Sequence, residues 1–117
     1  MNKATRDARD TRDARNVPPA CCTIDLDGAE RERFTGMLKA AGNPVRFEIL
    51  SFLVTHPGCI TGDIVSHLPI AQATVSQHLK VLRTAGWIEG EIEGPAVCYS
   101  LSADAIAWFR LTVARIF

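Results

Sequence analysis

Four cysteines, at positions 21, 22, 59 and 98, are the side chains of this 117-residue chain that most clearly indicate chemistry. Cys21 and Cys22 are adjacent in a polar stretch, where a thiol pair has no packing role, and this favours a reactive or ligating role. Adjacent cysteines rarely form a disulfide, because their Cα atoms lie about 3.8 Å apart, below the usual disulfide range. We therefore expect reduced thiols that are available as ligands.

Charge and hydropathy narrow the class of protein. The N-terminus is charged from its start and shows no apolar signal segment, which predicts a cytoplasmic protein. No apolar run approaches the length of about 20 residues that spans a bilayer, so no membrane partner is expected. Basic and acidic residues number 13 each, which excludes a generic basic nucleic-acid-binding protein and requires any DNA-binding charge to be arranged locally.

A second chemical signature lies in residues 59–88, which are predicted to form two short helices with a turn between them, followed by the start of a strand. In the second helix, Val75, Leu79 and Leu82 fall at i, i+4 and i+7 and form one apolar face. The opposite side carries amide, hydroxyl and ammonium groups, which hydrogen-bond to base edges and phosphates. Positions 64–88 contain no acidic residue, so this surface is predicted to face a polyanion.

The candidate DNA-binding residues lie along this second helix. Those near its N-terminus are expected to meet bases or phosphates, and the later basic residues to neutralise phosphates. The full set is Gln72, Thr74, Ser76, Gln77, His78, Lys80 and Arg83. Of these, His78 lies toward the buried edge of the helix, where it serves either as a packing and hydrogen-bonding residue or as a phosphate contact.

The elements that must position these groups fall into two parts. Residues 1–26 are predicted to be a flexible N-terminal arm, with a low-complexity mixed-charge stretch, and this arm carries the Cys21-Cys22 pair. Residues 27–117 are predicted to form a DNA-binding and dimerisation domain. Its helices are expected at about 28–41, 45–55, 62–68, 71–85 and 104–117, with a brief extended piece at 59–61 and a hairpin of 87–93 and 96–101.

This order of elements predicts a winged helix-turn-helix, mainly α in the α+β class, with a two-stranded β-hairpin wing. The first helix is expected to bury Phe34, Leu38 and Ala41, and the second to bury Ile49, Leu50, Leu53 and Val54. The last helix, which Asp104 caps or begins, is apolar over most of its circumference and must be covered. A second copy of the same helix is the expected cover, which predicts a homodimer.

The chain resembles the ArsR/SmtB family of metal- and metalloid-responsive repressors over about residues 28–117. The resemblance rests on the runs LKAAGNPVR (38–46), AQATVSQHLKVL (71–82) and AGWI (85–88). It implies a homodimer that binds a palindromic operator in double-stranded DNA and leaves it when an inducer binds. The hairpin tip at 91–95 is acidic where family members often carry an Arg, which argues against strong DNA contact by this wing.

The family's ligand arrangements imply which inducer this chain senses. A cysteine pair in the first helix of the helix-turn-helix is missing here, and the last helix has no histidine for an Asp/His zinc site. A third arrangement, in arsenic-responsive members, places a Cys-Cys pair in the arm and one cysteine just before the helix-turn-helix, which Cys21, Cys22 and Cys59 match. As(III) and Sb(III) are soft and bind three thiolates. The resemblance thus implies a repressor induced by As(III) or Sb(III), with no organic cofactor and with an arm that we expect to cross the dimer.

Three alternatives stay open at this point. A zinc or cadmium sensor would need a fourth ligand from Cys98, His56 or water. A thiol-based redox or persulfide sensor would link an arm cysteine to Cys59. A small thiol enzyme would use Cys59 as nucleophile with His56 as base, but the sequence offers neither a Gly-rich anion-binding loop nor an Arg near Cys59. We therefore do not expect an enzyme.

Overall fold

The computed structural model describes residues 25–117, apart from the side chains of Cys59 and Glu93. Cys21 and Cys22 therefore lie outside the described residues. The elements, in chain order, are α1 (Gly28–Ala41), α2 (Pro44–Thr55), β1 (Cys59–Ile60), α3 (Thr61–His67), α4 (Gln72–Ala85), β2 (Ile88–Glu93), β3 (Ala96–Leu101) and α5 (Ala103–Ile116). This is the predicted winged helix-turn-helix, in which α3 and α4 form the helix-turn-helix and the β2–β3 hairpin forms the wing.

Local sequence signals explain where the first two helices begin. At α1, the Asp27 carboxylate accepts a hydrogen bond from the Glu30 backbone N–H (2.7 Å), and the Glu30 carboxylate accepts one from the Asp27 N–H (3.2 Å). At α2, the Asn43 side chain accepts from the N–H groups of Val45 and Arg46 at 2.9 and 3.1 Å. These capping bonds satisfy N–H groups that have no partner inside the helix.

The later helix boundaries confirm one prediction and correct another. Gly86 ends α4 with φ of 98°, a left-handed conformation that glycine adopts without steric cost. The cap of α5 is Ser102, whose hydroxyl accepts from the Ala105 N–H at 3.2 Å, so the expectation that Asp104 caps or starts this helix is wrong. The Ser102 N–H also donates to the Trp87 carbonyl at 2.9 Å, which fixes the end of β3 at this point.

The sheet has three antiparallel strands in the order β1-β3-β2. The brief extended piece predicted near Cys59 is thus an edge strand beside the hairpin. Cys59 pairs with Tyr99, and Ile60 pairs with Cys98. Directly paired residues share a face and successive residues alternate, so positions 59 and 98 lie on opposite faces of the sheet.

The core lies between α2, α3, α4 and the start of β2. Its fully buried side chains include Ile49, Leu53, Ile64, Val75, Leu79 and Leu82. Two inward-facing predictions are wrong, because Leu38 is 47% exposed and Val54 is 65% exposed. In α1 the buried residues are Phe34, Met37 and Ala40, so the buried face shares Phe34 with the predicted stripe and is displaced by one residue at its other two positions.

Candidate DNA-reading surface and cysteine site

The α4 helix presents polar groups outward because its opposite side is anchored in the core. Val75, Leu79 and Leu82 are each at most 1% exposed. Six of the seven predicted DNA-binding residues are exposed on this helix: Gln72, Thr74, Ser76, Gln77, Lys80 and Arg83. Amide and hydroxyl groups near the N-terminus with basic groups further along suit base reading combined with phosphate binding.

The first helix of the helix-turn-helix keeps its one acidic side chain away from that surface. Asp63 accepts a hydrogen bond from the Ile60 backbone N–H at 3.1 Å and so stabilises the first turn of α3. Ile64 is fully buried against α4. The first helix therefore supports α4 through packing, and a movement of α3 would be transmitted to the reading helix.

His78, the seventh predicted residue, is half-buried rather than exposed. Its Nδ1 lies 3.4 Å from Nη1 of Arg46, and Arg46 Nε donates to the Ala40 carbonyl at 2.7 Å. This contact favours the packing and hydrogen-bonding role for His78. Sequence reasoning assigned no role to Arg46, because its partner on α4 is 32 positions away and no local pattern connects the two residues.

The predicted thiol site is described only at its backbone position on β1. Cys59 begins that strand, and Thr61, two residues later, begins α3. The Gly58 N–H donates to the Tyr99 carbonyl at 3.0 Å, so the segment is held on both sides of Cys59. Cys21 and Cys22 lie outside the described residues, and their approach to Cys59 stays a prediction.

The two candidates for a fourth metal ligand lie in different surroundings. Cys98 is half-buried on β3, at a position on the opposite face of the sheet from position 59. The His56 ring stacks on Phe52 with centroids 4.2 Å apart, and its Nδ1 lies 2.8 Å from the Thr55 hydroxyl. Among the described side chains of residues 25–117, which do not include those of Cys59 and Glu93, no group of three His, Cys, Asp or Glu is placed to hold a metal ion.

The α5 helix leaves apolar surface uncovered in the single chain. Leu111 is 68% and Phe117 is 96% exposed. A cavity of about 370 Å³ between α1 and α5 is lined by Leu38 and Val113 among other residues. This surface fits the predicted homodimer. None of the helices in residues 25–117 combines the length and apolar character that crossing a bilayer requires.

An ion-pair network joins the end of α5 to the start of α1. Arg115 Nη1 lies 3.1 Å from Glu30 Oε2, and the same guanidinium donates to the Asp25 backbone carbonyl. The hydrogen bond from Arg115, followed by that from the Asp27 N–H, lowers the pKa of Glu30 below its ordinary value. The hydrogen bond to Glu30 correspondingly raises the pKa of Arg115. The network holds Asp25 and the first turn of α1 beside the end of α5.

Comparisons with known proteins agree with this architecture. Residues 43–89 match the model of a family described as bacterial regulatory protein, arsR family. The chain is 33% identical over 95 residues to the HTH-type transcriptional regulator NmtR of Mycobacterium tuberculosis, an alignment covering 81% of this chain and 75% of that protein. It is 38% identical over 71 residues to the HTH-type transcriptional repressor SmtB of the same species, covering 61% of this chain and about half, 52%, of that protein. A solved structure of a possible transcriptional regulator for arsenical resistance superposes with a TM-score of 0.61 at 26% identity, covering 68% of this chain and 81% of that one.

Proposed function

Because this chain belongs to the ArsR family of bacterial regulatory proteins, we propose that it is a metalloid-responsive repressor that leaves its operator when As(III) or Sb(III) binds. The chain is a transcriptional repressor of this family that binds DNA through its helix-turn-helix, and it is not an enzyme. The proposal adds three finer points: a palindromic operator, a homodimer, and an inducer site of Cys21, Cys22 and Cys59.

The observation that carries the proposal is the backbone position of Cys59. It lies on an edge strand that pairs with β3, and α3 begins two residues later. A ligand bound at this position is thus connected to the helix-turn-helix by a very short stretch of chain. The Asp63 hydrogen bond to the Ile60 N–H makes that connection stiffer.

The inducer acts in this account by favouring the DNA-free conformation. Joining the arm thiols to Cys59 pulls on β1 and the first turn of α3, and the buried Ile64 carries the displacement to α4. A homodimer reads two half-sites about 34 Å apart, so a small tilt of each reading helix spoils simultaneous contact. The inducer then binds the DNA-free state more tightly than the DNA-bound state, which is the condition for release.

The choice of metalloid over zinc rests on ligand number. Zinc prefers four ligands in a tetrahedron, whereas As(III) and Sb(III) bind three soft thiolates. The position of Cys98 on the opposite sheet face from position 59 argues against a four-thiolate site. The likeness to a possible regulator for arsenical resistance supports the same choice.

The test replaces the central cysteine and follows release from DNA. Full-length Cys59→Ser is expected to bind a fluorescent duplex from the promoter of its own gene as the wild type does, and to stay bound when arsenite is added. Cys98→Ser is the matched control and should respond to arsenite like the wild type. An arsenite response retained by Cys59→Ser would overturn the assignment, and release by peroxide under otherwise metalloid-free conditions would favour a redox sensor.

A further inference from the structure

A groove between α1 and α4, called here the α1–α4 groove, gathers basic side chains beside the reading helix. It encloses about 640 Å³ and takes residues from α1, α2 and α4. Lys39, Arg46 and Lys80 are its basic lining residues, and Glu32 is its acidic one. The groove is therefore a local positive region.

This concentration is unusual for the domain in which it lies. Residues 25–117 contain eight Lys and Arg residues against ten Asp and Glu residues. The two lysines of that range, Lys39 and Lys80, both line the α1–α4 groove. Since the domain as a whole is slightly acidic, the positive charge of the groove is not a consequence of a generally basic surface.

Neither lysine ammonium group forms an ion pair with a carboxylate in the described part of the chain. Among the described side chains of residues 25–117 the ion pairs join Arg115 to Asp25 and Glu30, and the His67 ring lies 3.9 Å from the Glu48 carboxylate, so neither lysine takes part. Both lysines are exposed. An exposed ammonium without an internal carboxylate partner is suited to bind an external anion such as phosphate.

The half-buried Arg46 side chain forms part of the wall of the α1–α4 groove and contacts both helices. Its Nε donates to the Ala40 carbonyl in the last turn of α1, and its Nη1 lies 3.4 Å from Nδ1 of His78 on α4. These contacts tie the turn that bears Lys39 to the helix that bears Lys80. Arg46 thus links the two backbone segments that carry these lysines.

The groove continues the reading surface at a distance that matches DNA. Lys80 follows Gln72 by eight residues, which is about 12 Å along a helix. The major groove of B-DNA is about 12 Å wide. When the N-terminal residues of α4 meet base edges, a residue about 12 Å further along α4 is within reach of the bordering phosphate strand, and Lys39 lines the same α1–α4 groove as Lys80.

We propose that the α1–α4 groove is a second contact with the DNA backbone, in which Lys39 and Lys80 bind phosphates of one strand and Arg46 positions them. The inference rests on the proposed DNA binding by α4 and extends that interface onto α1, through Lys39. Glu32 precedes Lys39 by seven residues, about 10 Å along α1. Because its carboxylate repels phosphate, the contact with the DNA backbone is expected to end before Glu32.

The experiment measures affinity of the full-length protein for two duplexes of equal length, one from the promoter of its own gene and one of random sequence. Salt is varied from about 50 to 200 mM, because each phosphate contact contributes about 0.9 to the slope of log affinity against log salt. Lys39→Gln is expected to weaken binding to both duplexes about threefold to tenfold, because a phosphate contact carries no sequence information. For a dimer the slope should fall by about 1.8.

Two control variants separate a specific contact from a change of net charge. Lys3→Gln removes one positive charge near the start of the chain, outside the helix-turn-helix and α5, and should leave the slope unchanged. Glu32→Gln removes the repulsive carboxylate and should tighten binding to both duplexes. Far-UV circular dichroism checks that each variant is folded.

The results distinguish this inference from the proposed function. Wild-type binding together with an unchanged Lys39→Gln affinity and slope overturns the groove contact and leaves the reading helix intact. An equal loss in Lys3→Gln also overturns it, because the effect would then reflect net charge. Wild-type protein that binds neither duplex overturns both proposals.

Discussion

The two elements that a winged helix offers to DNA carry opposite charge in this molecule. Positions 64–88 hold no acidic residue, and α4 exposes Lys80 and Arg83. The wing has no basic residue and carries three glutamates at alternate positions of β2. Although the formal net charge of the chain is zero, its α4 helix carries only basic charged residues and its wing only acidic ones. This difference predicts that the helices, rather than the wing, contact the phosphates of DNA.

The wing also has a structural role, because its strand β3 lies in the middle of the sheet. Tyr99 on β3 pairs with Gly90 across the hairpin, and a Cβ at Gly90 would lie 3.2 Å from the Tyr99 ring and 3.0 Å from Val97 Cγ1. The same Tyr99 pairs with Cys59 on the other side. Since β3 pairs with both outer strands, the wing supports the strand on which the proposed inducer site lies.

The largest effect is expected from the buried side of α4. Leu82 is fully buried, and Leu82→Ala should lower the free energy of unfolding by about 2–5 kcal/mol, because the cavity adds to the lost burial. Val81→Ala, at a neighbouring exposed position of the same helix, should cost less than about 1 kcal/mol. Urea denaturation measures both values, and similar costs for the two variants would contradict the assignment of the buried face.

A pair of substitutions tests the difference in charge between α4 and the wing. Lys80→Gln should weaken DNA binding about tenfold and lower its salt dependence, because a phosphate contact is lost. Glu91→Gln on the wing should leave affinity within about threefold of wild type, with any change toward tighter binding. Fluorescence anisotropy with one labelled duplex compares them, and a marked loss in Glu91→Gln would show that the wing contacts DNA.

The smallest effect is expected for the ion pair between Arg115 on α5 and Glu30 on α1. Because Arg115 lowers the pKa of Glu30, the stabilisation is fully present above the unfolded pKa of about 4.3 and is lost as pH falls through the folded value. Arg115→Gln should therefore narrow the difference in stability between neutral and acidic pH. Thermal unfolding of both proteins from neutral pH downward measures this, and parallel curves would contradict the assigned pairing.

The sequence predicted the elements well because their signals are local. The C-terminal glycine of α4 and the apolar spacing of Val75, Leu79 and Leu82 depend on neighbouring residues alone. Leu38 and Val54 were predicted to face inward but are exposed, because local periodicity does not fix the rotation of a helix about its axis. That rotation depends on which neighbouring element the helix meets.

The candidate site was predicted less completely than the fold. The positions of the exposed α4 residues followed from periodicity, whereas the contact between Arg46 and His78 joins distant positions and depends on tertiary packing. Lys39 gave no signal for the same reason, because its proximity to Lys80 arises only when α1 crosses α4. The placement of Cys59 before α3 was predicted, and its meeting with the arm thiols stays a prediction.

The central claim is that Cys59 binds the inducer together with the arm thiols. The most direct measurement is arsenic X-ray absorption on the DNA-free, full-length protein loaded with one equivalent of arsenite, which counts the sulfur neighbours of the bound ion. We expect three sulfur neighbours in the wild type and two in Cys59→Ser. Three sulfur neighbours retained in Cys59→Ser would place the site elsewhere and contradict the control of the reading helix through this residue.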